Sequence, residues 1–139
     1  MMTIYCDGGS RGNPGPSASA FVVVDDSKKI EYSESKYLGI NTNNVAEYAA
    51  VLMAVEWLIK LPVVNENSSV VVNLDSQLVE RQLNGFYKVK NKNLVKIFND
   101  IKTLIKKYNL KIVFQWGYRE KNVLADSLVN KELDVNTSR

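Results

Sequence analysis

Histidine is absent from this chain of 139 residues, and cysteine occurs once, as Cys6. The first absence removes Ser-His-Asp and Cys-His nucleophilic catalysis, and with them every histidine-based zinc site. The second removes an intrachain disulfide and a structural thiolate site, and it points to a reducing compartment. No apolar run approaches the length of a membrane span, and the chain passes straight into a strand-like segment without a charged and apolar leader. A soluble, cytoplasmic chain with no membrane association is expected, and no feature calls for an obligate protein partner. A strong excess of either charge is missing too. The 18 basic and 15 acidic residues leave +3, a mild balance that alone supports a nucleic-acid partner only weakly. Acid–base or metal chemistry must therefore run on carboxylates, lysines or tyrosines. Carboxylates prefer hard cations such as Mg²⁺ or Mn²⁺.

What is present suffices for one core. At 45% hydrophobic residues the chain fits a single domain over 1–139, with a frayed tail in the last few residues. Thr3–Cys6 reads as a strand that meets a dense turn signal, DGGSRGNPGP, from Asp7 to Pro16. Ala18–Val24 and Lys29–Leu38 continue an antiparallel meander. Asn43–Lys60 then places Ala46, Ala49, Ala50, Met53, Trp57 and Leu61 at helical spacing, with Pro62 as the stop. A buried-type strand at Val70–Leu74, a short helix at Ser76–Leu83 and a helix at Leu94–Tyr108 follow. A strand at Leu110–Trp116 and an amphipathic helix at Val123–Leu133 complete the chain. The order βββαβααβα implies an α/β protein, with parallel pairing in its second half and helices packed on the sheet.

Four acids sit at strand ends or on helices, and each has an ordinary structural alternative. Asp7 can open a turn. Glu47, three residues after Asn44, can close a capping box. Asp75, between a strand and a helix, can be an N-cap. Asp126 can face solvent. Together they suggest more, because the C-terminal ends of parallel strands open onto a crevice where ligands bind. If the first and fourth strands are parallel neighbours, Asp7 and Asp75 emerge side by side and Glu47 can join them. Clustered like charges raise one another's pKa, and a divalent ion relieves them. Two cations roughly 3.5–4 Å apart can serve an in-line phosphoryl displacement. Periodicity and spacing do not prove this convergence. The glycines of Gly8–Gly15 lack the GK[ST] ending of a nucleotide-binding P-loop.

The strings DGGSRGNPGP, NTNNVAEY, LDSQLV, KNKNL and REKNVLADSLVN, in that order from Thr3 to Leu133, resemble the type 1 ribonuclease H family. The resemblance implies a ribonuclease H-like fold with a five-stranded mixed sheet in spatial order 3-2-1-4-5, flanked by helices. It implies a two-metal endonuclease, using Mg²⁺ or Mn²⁺, that cuts the RNA strand of RNA/DNA hybrids and leaves 5′-phosphate and 3′-hydroxyl ends. The metal ligands it implies are Asp7, Glu47, Asp75 and Asp126. It sets Asn13, Asn43 and Gln77 toward the minor groove of the hybrid, where 2′-hydroxyls distinguish RNA from DNA. It sets Thr42 and Asn44 at a DNA-strand phosphate or backbone, and Ser76 beside Gln77 among the substrate contacts. Gly8, Gly9 and Gly12 would allow close backbone approach to a ligand. Asn91 and Lys92, in the basic segment beside Phe86 and Tyr87, would meet a nucleic-acid backbone, with Asn93 as the cap of the following helix.

Two departures qualify this picture. Many members carry a histidine in the loop before the last helix, and this chain instead runs Trp116-Gly117-Tyr118-Arg119-Glu120-Lys121. Arg119 is the candidate for part of that role, although a guanidinium stays protonated and cannot act as a general base near neutrality. The basic protrusion of some members is also missing, since only Gly85–Asn91 joins the two middle helices. Double-stranded RNA therefore stands as an additional expected substrate. The alternatives are a catalytically weak or inactive nucleic-acid-binding module and a DNA resolvase or integrase of the wider superfamily.

Overall fold

The computed structural model describes residues 2–61, 69–118 and 120–137. Its first strand, β1 (Met2–Ser10), owes its position to period-two alternation. Ile4 and Cys6 are buried on one face, and Tyr5 packs on the other. Antiparallel β2 (Gly15–Val24) repeats this, with Asp7 opposite Ala20. Phe21 and Val23 enter the main core, whereas Ala18, Ala20, Val22 and Val24 line the opposite face. Both faces of β2 are thus buried, as expected of a strand between two helical layers. β3 (Ile30–Asn41) pairs outside it as a partly exposed edge.

The helices follow from this two-faced sheet. α1 (Asn43–Ile59) starts at Thr42, whose hydroxyl accepts the Val45 N–H at 3.2 Å. It ends at Ile59 with Lys60 as its C-cap, so the chain leaves the helix before Pro62, which lies outside the described residues. β4 (Val70–Leu74) runs parallel to β1 with Cys6 opposite Leu74. Two helices then cover the α1 face, α2 (Gln77–Leu83) and α3 (Lys92–Lys107). β5 (Ile112–Trp116) pairs parallel to β4, giving the order β3-β2-β1-β4-β5 expected from the family resemblance. α4 (Asn122–Thr137) lies on the opposite face and buries Ala125, Val129 and Leu133, one stripe at helical spacing. Among the described residues no helix is long and apolar enough to cross a membrane.

Three boundaries differ from the sequence expectation. β1 continues through Asp7, Gly8, Gly9 and Ser10, because the ladder to β2 reaches Ser17 and overrides the turn preference of the glycines. The turn itself narrows to Arg11–Pro14, closed by the Arg11 N–H donating to the Pro16 carbonyl at 2.9 Å. α3 is capped by Asn91 rather than Asn93, since the Asn91 side chain accepts the Asn93 N–H at 2.9 Å. α4 extends past Leu133, where the Asn136 side-chain amide donates to the Glu132 carbonyl at 2.8 Å. Ser138 and Arg139 lie outside the described residues.

Gly8 decides how closely α1 approaches the sheet. A Cβ there would stand 2.2 Å from the Ala46 carbonyl carbon and 2.5 Å from the Glu47 nitrogen. Both are backbone atoms and cannot swing aside. A Cβ on the next residue, Gly9, would meet only the Val129 side chain, at 3.8 Å. Gly8→Ala is expected to cost about 3 kcal/mol in urea unfolding, by overpacking against backbone. Gly9→Ala should stay within about 1 kcal/mol. Equal losses would show that the α1–β1 approach is not the tight contact described.

Candidate active site

The same alternation aims the acids. Ile4, Cys6 and Gly8 point toward α1, so Tyr5, Asp7 and Gly9 point toward α4. Asp7 is only 7% exposed, although it stands near a strand end. Because β4 is the parallel neighbour of β1, Asp75 emerges beside it one residue after the last paired position, Leu74. The close crossing at Gly8 carries the backbone of Glu47 over the end of β1. Asp126 belongs to α4 and lies off its buried stripe, yet its carboxyl is near enough to that of Asp7 to raise it. The structure thus brings all four acids together at one end of the sheet.

The ordinary alternatives for these acids do not hold. Thr42, not Asn44, caps α1, and the helix position reciprocal to that cap is Val45 rather than Glu47. Ser76, not Asp75, caps α2 by accepting the Val79 N–H at 3.3 Å. Asp126 is exposed but engaged.

Electrostatics mark the cluster as strained by its own charge. Burial, then the charges of Asp75, Asp126 and Glu47 and the hydrogen bond with Asp126, push Asp7 up to about 8. Burial raises Glu47 to about 7, assisted by Asp75 and opposed by a hydrogen bond from Ser76. Asp75 is raised by partial burial and by Asp126, although its outer surface is open to solvent. Behind them, burial and the charge of Asp7 hold the Cys6 thiol far above the usual thiol range, so Cys6 is an inert core residue.

Among the described residues no three acidic or cysteine side chains are already closed around a common point. An all-oxygen donor set from four carboxylates fits a hard divalent cation and fits little else.

Neighbouring residues hold this arrangement, and several escaped sequence reasoning. The Asn130 side-chain amide donates to an Asp126 carboxyl oxygen at 3.3 Å and to its carbonyl at 3.1 Å. The Trp116 indole N–H donates to the Asp75 carbonyl at 3.3 Å. Buried Asn73 donates to the Gly117 carbonyl at 3.0 Å and to the Asn122 side chain at 3.1 Å, tying β4 to the start of α4. The i, i+4 spacing of Asp126 and Asn130 was readable, but the two cross-chain contacts carried no local signal.

The expected substrate residues fall into two groups. Asn13, Thr42, Asn43 and Asn44 gather at the β1–β2 turn and the start of α1, where the Asn43 N–H donates to the Asn13 side chain at 3.1 Å. Ser76 and Gln77 open α2 beside Asp75. Asn91 and Lys92 begin α3, exposed, and make no hydrogen bond or ion pair to the acids. Nearby, Phe86, Tyr87 and Lys88 line an open groove of about 490 Å³. Arg119 lies outside the described residues.

Residues 5–132 match the model of the reverse transcriptase-like family. A ribonuclease H of Polynucleobacter asymbioticus is 31% identical over 94% of this chain and 88% of its own length. The chain belongs to the type 1 ribonuclease H family. LC11-RNase H1, isolated from compost by a metagenomic approach, was solved in complex with an RNA/DNA hybrid. It superposes with a TM-score of 0.92 at 39% identity, covering 99% of this chain and 100% of its own. The bifunctional protein Rv2228c of Mycobacterium tuberculosis is 36% identical over 96% of this chain. This ribonuclease H chain spans only 36% of that relative's length.

The raised carboxyls make stability depend on pH in a defined sense. Asp7, Glu47 and Asp75 bind protons more tightly folded than unfolded. Their protonated forms therefore stabilise the metal-free fold below the unfolded carboxylate range near 4. That contribution is lost as pH rises through about 7 and 8, the folded values of Glu47 and Asp7. In chelator, the urea midpoint should fall between pH 5 and pH 8.5. Asp7→Asn should flatten the fall and gain at least about 1 kcal/mol at the upper pH. A loss of stability in Asp7→Asn would identify Asp7 as a structural carboxylate.

Proposed function

We propose that this domain is an endonuclease hydrolysing the RNA strand of RNA/DNA hybrids, with Asp7, Glu47, Asp75 and Asp126 as the ligands of two Mg²⁺ or Mn²⁺ ions. The observation that carries the proposal is the convergence of these four acids from β1, α1, β4 and α4, where burial and mutual charge raise Asp7, Glu47 and Asp75. When bound, the ions supply an activated water and neutralise charge at the leaving oxygen. The protein supplies position. Gly8 sets the reach of Glu47, and Asn130 orients Asp126. Ser76 caps α2, which opens on Gln77 next to Asp75. Asn13 and Asn43 meet the minor groove of the duplex, and Thr42 and Asn44 meet the DNA strand. Gly9 admits the substrate backbone closely, whereas the space beside Gly8 is taken by α1.

Asn91, Lys92 and the aromatic groove behind them hold the duplex away from the acids. Arg119 manages a phosphate or the product near the site. A lone buried cysteine and this substrate suit a cytoplasmic location. LC11-RNase H1, whose crystals contain a hybrid and which matches this chain along its whole length, supports the assignment.

Labelled RNA/DNA, RNA/RNA and DNA/DNA duplexes, each with Mg²⁺, Mn²⁺ or chelator, test the proposal. Cutting of the hybrid's RNA strand with 5′-phosphate and 3′-hydroxyl ends is expected with metal only. Asp7→Asn and Asp75→Asn should lower turnover by about a thousandfold or more. Failure to cut any duplex would favour a binding module, and cutting of DNA would favour a resolvase. Slower cleavage of double-stranded RNA would extend the substrate range. Arg119→Ala is expected to reduce kcat with little change in metal requirement, and unchanged turnover would remove Arg119 from the mechanism.

A further inference from the structure

Two asparagines beside the acids have their amide polarity decided by the backbone. The Ser10 N–H lies 2.8 Å from the outer amide atom of Asn43. An N–H can only donate, so that atom is Oδ1. The Asn43 N–H lies 3.1 Å from the outer amide atom of Asn13, and the same logic makes it oxygen. The Ser10 hydroxyl leaves that decision to the backbone N–H. It lies 3.0 Å from Asn43 Oδ1 and 2.6 Å from the Gly12 carbonyl, with one proton to give between them. Each asparagine is left presenting Nδ2, and no described residue accepts from either. Asn13 is exposed, and Asn43 precedes Glu47 by four residues on the same helix face.

We infer that Asn13 and Asn43 read the duplex as hydrogen-bond donors only, and that the site therefore disfavours guanine at the steps they touch. The inference rests on the hybrid-nuclease reading given above. Adenine N3 and the O2 of thymine or uracil are minor-groove acceptors and suit a donor. A 2′-hydroxyl oxygen suits it equally, so contact with the RNA strand is unaffected. Guanine adds a 2-amino donor in the same groove. Two N–H groups brought together in a desolvated contact leave at least one without an acceptor, which is the costly half of a lost hydrogen bond. Backbone N–H groups hold both oxygens inward, so neither amide can turn over to accommodate guanine.

The test is an inosine walk. Guanine is replaced by inosine, which lacks the 2-amino group, at one position at a time in either strand of a hybrid. Cleavage by the native chain with Mg²⁺ is measured at a single scissile bond. A gain in kcat/KM of at least about fivefold, confined to one or two steps near that bond, is expected. A duplex-stability effect would instead spread over many positions, and a spread or flat profile overturns the inference. Asn43→Asp keeps the acceptor for Ser10 and exchanges the outer donor for an acceptor. It should act more slowly and reverse the preference, favouring guanine over inosine at the same step. That reversal is read as cleavage where the variant turns over, and as fluorescence anisotropy of the intact hybrid where it does not. A retained preference for inosine also overturns the inference. If the native chain cuts hybrids but the walk is flat, only the donor-only reading falls. If it cuts no hybrid under either metal, the hybrid-nuclease reading falls and takes this one with it.

Discussion

The contact between Gly8 and the backbone of Ala46 and Glu47 is the constraint on which the rest of the site depends. A helix usually crosses a sheet at a distance set by side chains on both surfaces. Here one strand residue contributes none, and α1 drops onto β1 at that point. Glu47 is thereby brought to the level of Asp7. The Ser19 hydroxyl, one strand further out, donates to the same Ala46 carbonyl and pins the helix from the other side. On α2, the Gln82 side chain accepts from the Tyr48 hydroxyl at 2.7 Å, so the residue after Glu47 is anchored as well. The position of one carboxylate is thus fixed by contacts from three elements, none of them made by a charged group.

Against that rigid frame the acids repel one another. Asp7 faces the α4 layer because of strand alternation, and Asp75 follows because the parallel neighbour shares the same register. The fold offers them no lysine or arginine partner among the described residues. The ion pairs within that set are Arg11 with Asp134 and Arg81 with Glu80, neither of which involves a site carboxylate. Protons fill the deficit at neutral pH and below. A structure that gathers anions without pairing them is less stable than it need be, and such a cost is common where a binding function is built in.

Much of this was legible in the sequence because it depends on local pattern. All nine elements appear in the expected order, since apolar alternation and helical spacing are properties of short windows. Asp7 and Asp75 were readable as strand-end residues, and the family strings singled out Glu47 and Asp126. What escaped was long-range. The glycines of β1 read as turn residues, and only pairing with Ser17–Ala20 makes them strand. Asn93 reads as the cap of α3 on paper, and in the fold the Asn91 side chain takes that place by accepting the Asn93 N–H. Ser10 has no signal of its own. Its role arises because a helix that starts 33 residues later places Asn43 against its N–H. Trp116 and Asn73 act in the same way, through partners on other elements.

The wide spacing of the acids also bears on the order of events during synthesis. Asp7 lies on the first strand of the domain and Asp126 on its last helix, which covers the far face of the sheet. A growing chain can form the β1–β2–β3 meander, seat α1 and add β4, which brings three of the acids within reach. The fourth arrives only when α4 has left the ribosome and docked. On the proposed assignment, the nascent domain therefore stays incapable of cutting a hybrid until translation has passed α4. The remote fourth ligand acts as a built-in delay.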